Sequence, residues 1–285
     1  PELFFDVYVV DPTYKPVGAI PISILLRSRR ETPLAELMEA VTEIPVDMDQ
    51  EEVAYIFDKY HLISAPVIEP GGRLVGQITV DDIVEVIRDE AQEDILALAG
   101  VSDAGRDASV VEIVKSRLPW LMLNLATATL AVSGVAIFQA EIAQLVALAI
   151  LMPIVSSLGG NAGTQTLAVA VRALASKELT TANARRIILR ELLVGLVNGL
   201  CLAVVMGTAT YLFFGPADHH DKLAIIVGAA LVANIFTAAV GGILMPLALE
   251  KMGRDPAVSS SIFVTFLTDF TGFFAVLLIA SLLLH

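Results

Sequence analysis

Residues 264–284 read VTFLTDFTGFFAVLLIASLLL, a stretch whose one charged residue is Asp269. A hydrocarbon core about 30 Å thick needs roughly 20 apolar residues in a helix to cross it, so this stretch reads as a membrane span. Four runs of comparable length precede it, and the five spans are placed at 118–138, 142–174, 187–214, 223–249 and 257–284. They account for a hydrophobic content of 56%, above the roughly 45–50% of soluble domains.

The charges divide the chain at the same boundary. Residues 1–107 carry 8 Lys and Arg against 22 Asp and Glu, a net of −14, whereas residues 108–285 carry 10 against 9. One half is built for water and the other for lipid. The acidic half repels phosphates, which excludes nucleic acid as a partner and favours cations. A single cysteine, Cys201, excludes a disulfide within the chain. Lys115 and Arg117 precede the first span, Arg172, Lys177, Arg185, Arg186 and Arg190 cluster between the second and third, and Lys251 and Arg254 separate the fourth and fifth. The opposite side carries only Lys222, so the positive-inside bias predicts a cytoplasmic N-terminal domain and an outer C-terminus in a multi-pass cell (inner) membrane protein.

Upstream, short β-rich runs alternate with helical periodicity. DVYVVD (6–11) and VGAIPI (17–22) read as strands, and QEEVAYIFDKYH (50–61) reads as a helix with Val53, Ile56, Phe57 and Tyr60 on one face. APVIE (65–69) and LVGQIT (74–79) form a hairpin around Gly71-Gly72, and a long helix starts near Val80. The run IPVDMDQEEVAYIFDKYHLISAPVIEPGGRLVGQITVDDI (44–83) resembles a cystathionine-β-synthase (CBS) module. The expected fold class is therefore multi-domain, an α/β CBS region followed by an all-α five-helix transmembrane domain. Its expected parts are the C-terminal part of a first CBS module at 1–30, a second module at 31–88, an acidic connecting helix region at 89–117 and the membrane domain at 118–285. Because Pro1 already lies in a strand-like run, the front half of the first module is expected upstream of it.

Asp269 lies twelve residues into the last span, about 18 Å along it and near mid-bilayer. An ionisable group at that depth marks an ion pathway by default; the alternative is a protonated Asp bonded between helices with help from Thr265 or Thr268. In the second span, MPIVSSLGGNAGTQT (152–166) combines Pro153, which removes a helical donor, with Gly159, Gly160 and Gly163, which weaken a helix. The expectation is irregular backbone lining a path, against the alternative of close helix packing through small residues.

The pair PIVSSLGGNAGTQTLAVAVRAL (153–174) and GRDPAVSSSIFVTFLTDFTGFF (253–274), with five spans and CBS modules ahead of them, resembles the MgtE family of bacterial magnesium transporters. That resemblance implies a homodimer with a pore between subunits, Mg²⁺ as both substrate and regulator, and Asp269 as the ion-binding residue. Pro153, Gly159, Gly160, Asn161, Gly163, Gln165, Thr265 and Thr268 become candidates to line the pore. It further implies a cytosolic plug helix and a missing acidic domain upstream. Asp89, Glu90, Glu93 and Asp94 pair at i, i+4 spacing, where like charges repel unless a cation sits between them. With Asp255 they are the candidate regulatory metal site; read alone, the same helix is equally a solvated charged face.

Thr79 and Asp82 are similar to the element with which some CBS modules hold a ribose, making ATP or another adenine nucleotide a candidate ligand, although Thr79 is equally a helix cap. His219 and His220, beside Asp218 and Asp221, read as an ordinary polar outer loop ahead of a metal-collecting one. The chain lacks a G-x-x-x-x-G-K-[ST] loop for ATP-driven transport, and no paired catalytic groups occur at membrane depth, so an enzyme is not expected. The competing readings are transport of Co²⁺, Mn²⁺ or Ni²⁺, and a nucleotide-sensing membrane receptor without transport.

Overall fold

The computed structural model describes residues 5–101, 108–179, 183–214, 220–257 and 260–284. It divides into two compact units, Pro1–Gln92 and Glu93–His285. The first is the α/β CBS region, and the second carries the membrane helices.

In the first unit, β1 (Asp6–Val10) pairs antiparallel with β2 (Pro16–Pro21). Two short helices follow, α1 (Ile22–Arg27) and α2 (Leu34–Leu37). A second sheet has the order β3 (Ile44–Pro45), β4 (Ser64–Ile68), β5 (Leu74–Thr79), parallel between the first two and antiparallel in the hairpin. Between β3 and β4 runs α3 (Gln50–Tyr60), started by Asp49, whose side chain accepts from the Glu51 N–H at 2.9 Å. His61 ends α3 in the left-handed region at φ 51°. The apolar spacing of α3 turns Val53, Ala54 and Phe57 onto the sheet, where they close a core with Ile44, Ala65 and Ile83. Ile83 belongs to the first turns of α4 (Val80–Leu98), which leaves the sheet as one continuous helix.

In the second unit, five helices are long and apolar enough to cross a membrane. The first comprises α5 (Val110–Ser133) and a 3₁₀ extension to Phe138. Ser109 and Glu112 start it with a reciprocal capping box. A short α6 (Gln139–Gln144) leads into α7 (Ala147–Ala175), followed by α8 (Ala184–Phe214), α9 (His220–Lys251) and α10 (Ser260–Leu284). The core lies among α7, α9 and α10 and includes Leu148, Val155, Ile226, Leu231, Val276 and Leu277, all essentially fully buried. Helix α9 is apolar nearly all round because it sits centrally, touching α7, α8 and α10. Backbones approach closely where side chains vanish: a Cβ on Gly195 would lie 2.6 Å from the Ala239 Cβ, and one on Gly242 would lie 2.8 Å from the Gly163 carbonyl oxygen.

One expectation is corrected here. The stretch 152–166 is not irregular; α7 runs unbroken through Pro153 and all three glycines. Gly159 and Gly163 are seats for neighbours. A Cβ on Gly159 would lie 2.1 Å from Asn234 Nδ2, and one on Gly163 would lie 2.4 Å from Val264 Cγ1. Tertiary packing outweighs the propensity cost of about 1 kcal/mol per glycine.

Candidate ion site in the membrane domain

Asp269 sits near the middle of α10, half-buried. Its Oδ1 accepts a hydrogen bond from the Ser156 hydroxyl of α7, and Oδ2 makes no hydrogen bond among the described residues. Neither Thr265 nor Thr268 bonds the carboxylate. Their hydroxyls turn back to the Ser261 carbonyl at 2.8 Å and the Thr265 carbonyl at 3.0 Å, the usual recourse of hydroxyls in membrane helices.

The α7 candidates fall on two faces. Pro153, Asn161 and Gln165 lie on the face the chain leaves exposed, and Gly160 is half-buried. Gly159 and Gly163 are buried in contacts with α9 and α10, and Thr268 is fully buried on α10. The exposed face is amide- and hydroxyl-bearing, with Ser157 and Thr164 beside Asn161 and Gln165, an unusual surface for a helix of this hydropathy. Such groups hydrogen-bond to the waters of a hydrated ion and do not strip them.

Two residues that sequence reasoning passed over belong to this part of the bundle, one bonded to Asp269 and one to the turn that carries the first. Ser156, one turn before Gly159, is its hydrogen-bond donor. Asn234 of α9 is fully buried and donates through Nδ2 to the Val155 carbonyl oxygen at 2.8 Å. A fully polar amide inside an apolar 32-residue helix was the signal available for it.

Among the described residues no three His, Cys, Asp or Glu side chains converge on a point that could cage a cation. Asp89 and Glu93 are exposed on α4, Glu90 accepts from Gln50 Nε2, and Asp94 is half-buried. Asp255 accepts from the Ala257 N–H at 2.7 Å in the turn before α10. In the CBS region, Asp82 accepts from both the Thr79 N–H (3.1 Å) and the Thr79 hydroxyl (3.0 Å), so these two side chains are joined as a cap on α4. His219 and Asp218 lie outside the described residues.

Residues 152–279 match the MgtE family model, described as a divalent cation transporter, and residues 32–89 match the CBS domain. A magnesium transporter MgtE of Enterococcus faecalis is 36% identical over 285 residues, covering 100% of this chain and 62% of the relative. Its counterpart in Thermus thermophilus is 34% identical, covering 100% of this chain and 63% of its own length. A crystal structure of the soluble part of a magnesium transporter aligns at 40% identity with a TM-score of 0.31 over 32% of this chain and 36% of that one. The chain spans a little over three fifths of the length of these curated relatives.

Proposed function

We infer that this chain, a member of the MgtE family by its divalent cation transporter domain and its CBS domain, conducts Mg²⁺ across the membrane through a pore in which Asp269 binds the ion. The observation that carries the reading is the Asp269 carboxylate itself: near the middle of α10, half-buried, with Oδ1 accepting from the Ser156 hydroxyl and Oδ2 without a hydrogen bond among the described residues. A carboxylate at such depth is costly unless a cation uses it. Mg²⁺ dehydrates reluctantly and is commonly held by one or two carboxylates with several waters retained. A homodimer with Asp269 from each copy near a two-fold axis supplies two negative charges to one divalent ion without an all-protein cage. Passive conduction suffices, since a potential of about 100 mV offers a divalent cation roughly 4.6 kcal/mol inward.

Regulation by cytosolic Mg²⁺ through Asp89, Glu90, Glu93 and Asp94, with Asp255, is part of the same proposal: the ion would favour whichever state brings these carboxylates together, and that state would be the closed one. The positive-inside bias of the basic loops supports a cytoplasmic α4 and CBS region and an outer C-terminus. An adenine nucleotide at the CBS domain would meet Thr79 and Asp82 already joined, the Thr79 hydroxyl donating to Asp82 Oδ2. Uptake of Mg²⁺, Co²⁺, Mn²⁺ and Ni²⁺ into proteoliposomes, wild type beside Asp269→Ala, tests the reading. Mg²⁺ uptake by the wild type, lost in the variant, is expected. Equal uptake of all four ions makes the pore a general divalent path, and no uptake of any ion favours a receptor.

A further inference from the structure

Several hydroxyls in the membrane helices turn back on their own backbone, among them Thr237 to the Ala233 carbonyl and Thr265 to the Ser261 carbonyl, each four residues earlier. Ser156 does otherwise. It is buried, and its hydroxyl crosses from α7 to α10 to donate to Asp269 Oδ1. A hydroxyl given to a carboxylate makes a charge-assisted bond, roughly twice as strong as a neutral one, and it fixes the carboxylate's rotation.

The turn that carries Ser156 is itself pinned. Asn234 Nδ2 donates to the carbonyl of the preceding residue, Val155. The amide occupies the space where Gly159 has no Cβ, and its Oδ1, buried and without a hydrogen bond, packs against that glycine. Gly272 of α10 completes the seat. A Cβ there would lie 2.9 Å from Asn234 Nδ2 and 3.0 Å from Ser156 Cα, so its absence lets α10 bring Asp269 within reach of Ser156. Three helices and two missing side chains meet around Ser156, which in turn bonds the carboxylate.

We propose that Ser156 is a positioning residue for the ion site, holding Asp269 Oδ1 inward so that Oδ2 faces the hydrated cation, and that Asn234 sets the place of Ser156. The proposal rests on the reading of Asp269 as the ion-binding residue. Without the hydroxyl the carboxylate rotates freely and both oxygens compete for the ion's shell, so affinity falls while the path itself stays open.

The test is the concentration dependence of Mg²⁺ flux in proteoliposomes holding the full chain. Ser156→Ala raises the half-saturating Mg²⁺ concentration on the order of tenfold, the scale of one charged hydrogen bond, and leaves saturating flux within about twofold of wild type. Ser156→Thr, which keeps the hydroxyl, stays within about threefold in half-saturation. In an Asp269→Asn background, Ser156→Ala adds little, because the group it positions has lost its charge. Asn234→Ala moves half-saturation in the same direction as Ser156→Ala. An unchanged half-saturation in Ser156→Ala, or an equal rise in Ser156→Ala and Ser156→Thr, overturns the assignment. A drop in saturating flux and folded yield alone shows Ser156 to be a packing residue and overturns it too. If Asp269→Asn abolishes flux while Ser156→Ala changes nothing, the pore reading stands and this inference falls; if Asp269→Asn is itself inert, the pore reading falls first.

Discussion

Gly159→Ala puts a methyl group into the seat of Asn234. The added Cβ would lie 2.1 Å from Asn234 Nδ2 and 2.6 Å from its Cγ, with both residues buried, so the amide must leave or the helices must part. Overpacking a close-packed site costs about 1–3 kcal/mol. Displacing the amide breaks its 2.8 Å bond to the Val155 carbonyl and strands a buried polar group, for about 1–3 kcal/mol more. Against this, alanine gains about 1 kcal/mol over glycine in a helix interior. The balance is a loss of about 1–5 kcal/mol. Unfolding in mixed micelles with rising SDS, followed by helicity, measures it. Gly160→Ala is the internal control: its Cβ would come no closer than 3.8 Å to the Thr268 hydroxyl, so it should be neutral in stability or gain up to about 1 kcal/mol. The double variant Gly159→Ala, Asn234→Ala removes the clash and should be less destabilised than the two single losses added together. Wild-type stability in Gly159→Ala, or strict additivity in the double variant, refutes the seating of Asn234 on Gly159.

Other predictions are independent of that contact. His61 ends α3 at φ 51°, a conformation that favours glycine, and His61→Gly should stabilise the CBS region by about 0.5–1 kcal/mol, seen as a higher midpoint in thermal denaturation. Neutralising Asp89, Glu90, Glu93 and Asp94 together should leave the pore conducting at millimolar cytosolic Mg²⁺ in patch recordings; full closure there would remove these residues from the sensor.

The large architecture was legible because it rests on run length and periodicity. An apolar stretch of span length is a helix wherever it sits, and the strand, helix, hairpin, helix order of the CBS region follows from turn residues and alternation. Asp269 was legible for a related reason, since a charge at that depth is costly and therefore conspicuous. The reading of residues 152–166 erred because propensity belongs to one segment while packing belongs to two. Gly159 looks like a helix breaker until Asn234, 75 positions later, is seen to occupy the space it leaves. Ser156 was hidden in the same way: nothing in VSSLGG tells which of the two serines turns to α10. The short helix α1 also went unread, because its ISILLR continues a β-rich run without a break in composition.

If the charge on Asp269 holds the permeating ion, Asp269→Asn, which keeps the shape of the side chain and removes its charge, should abolish that hold. Mg²⁺ flux and monovalent currents would be recorded from the same preparation of wild-type and variant protein. Mg²⁺ flux in the variant should fall at least tenfold while Na⁺ or K⁺ begins to pass, since an amide binds a divalent ion's shell far less tightly than a carboxylate. Divalent flux and selectivity equal to wild type would contradict it.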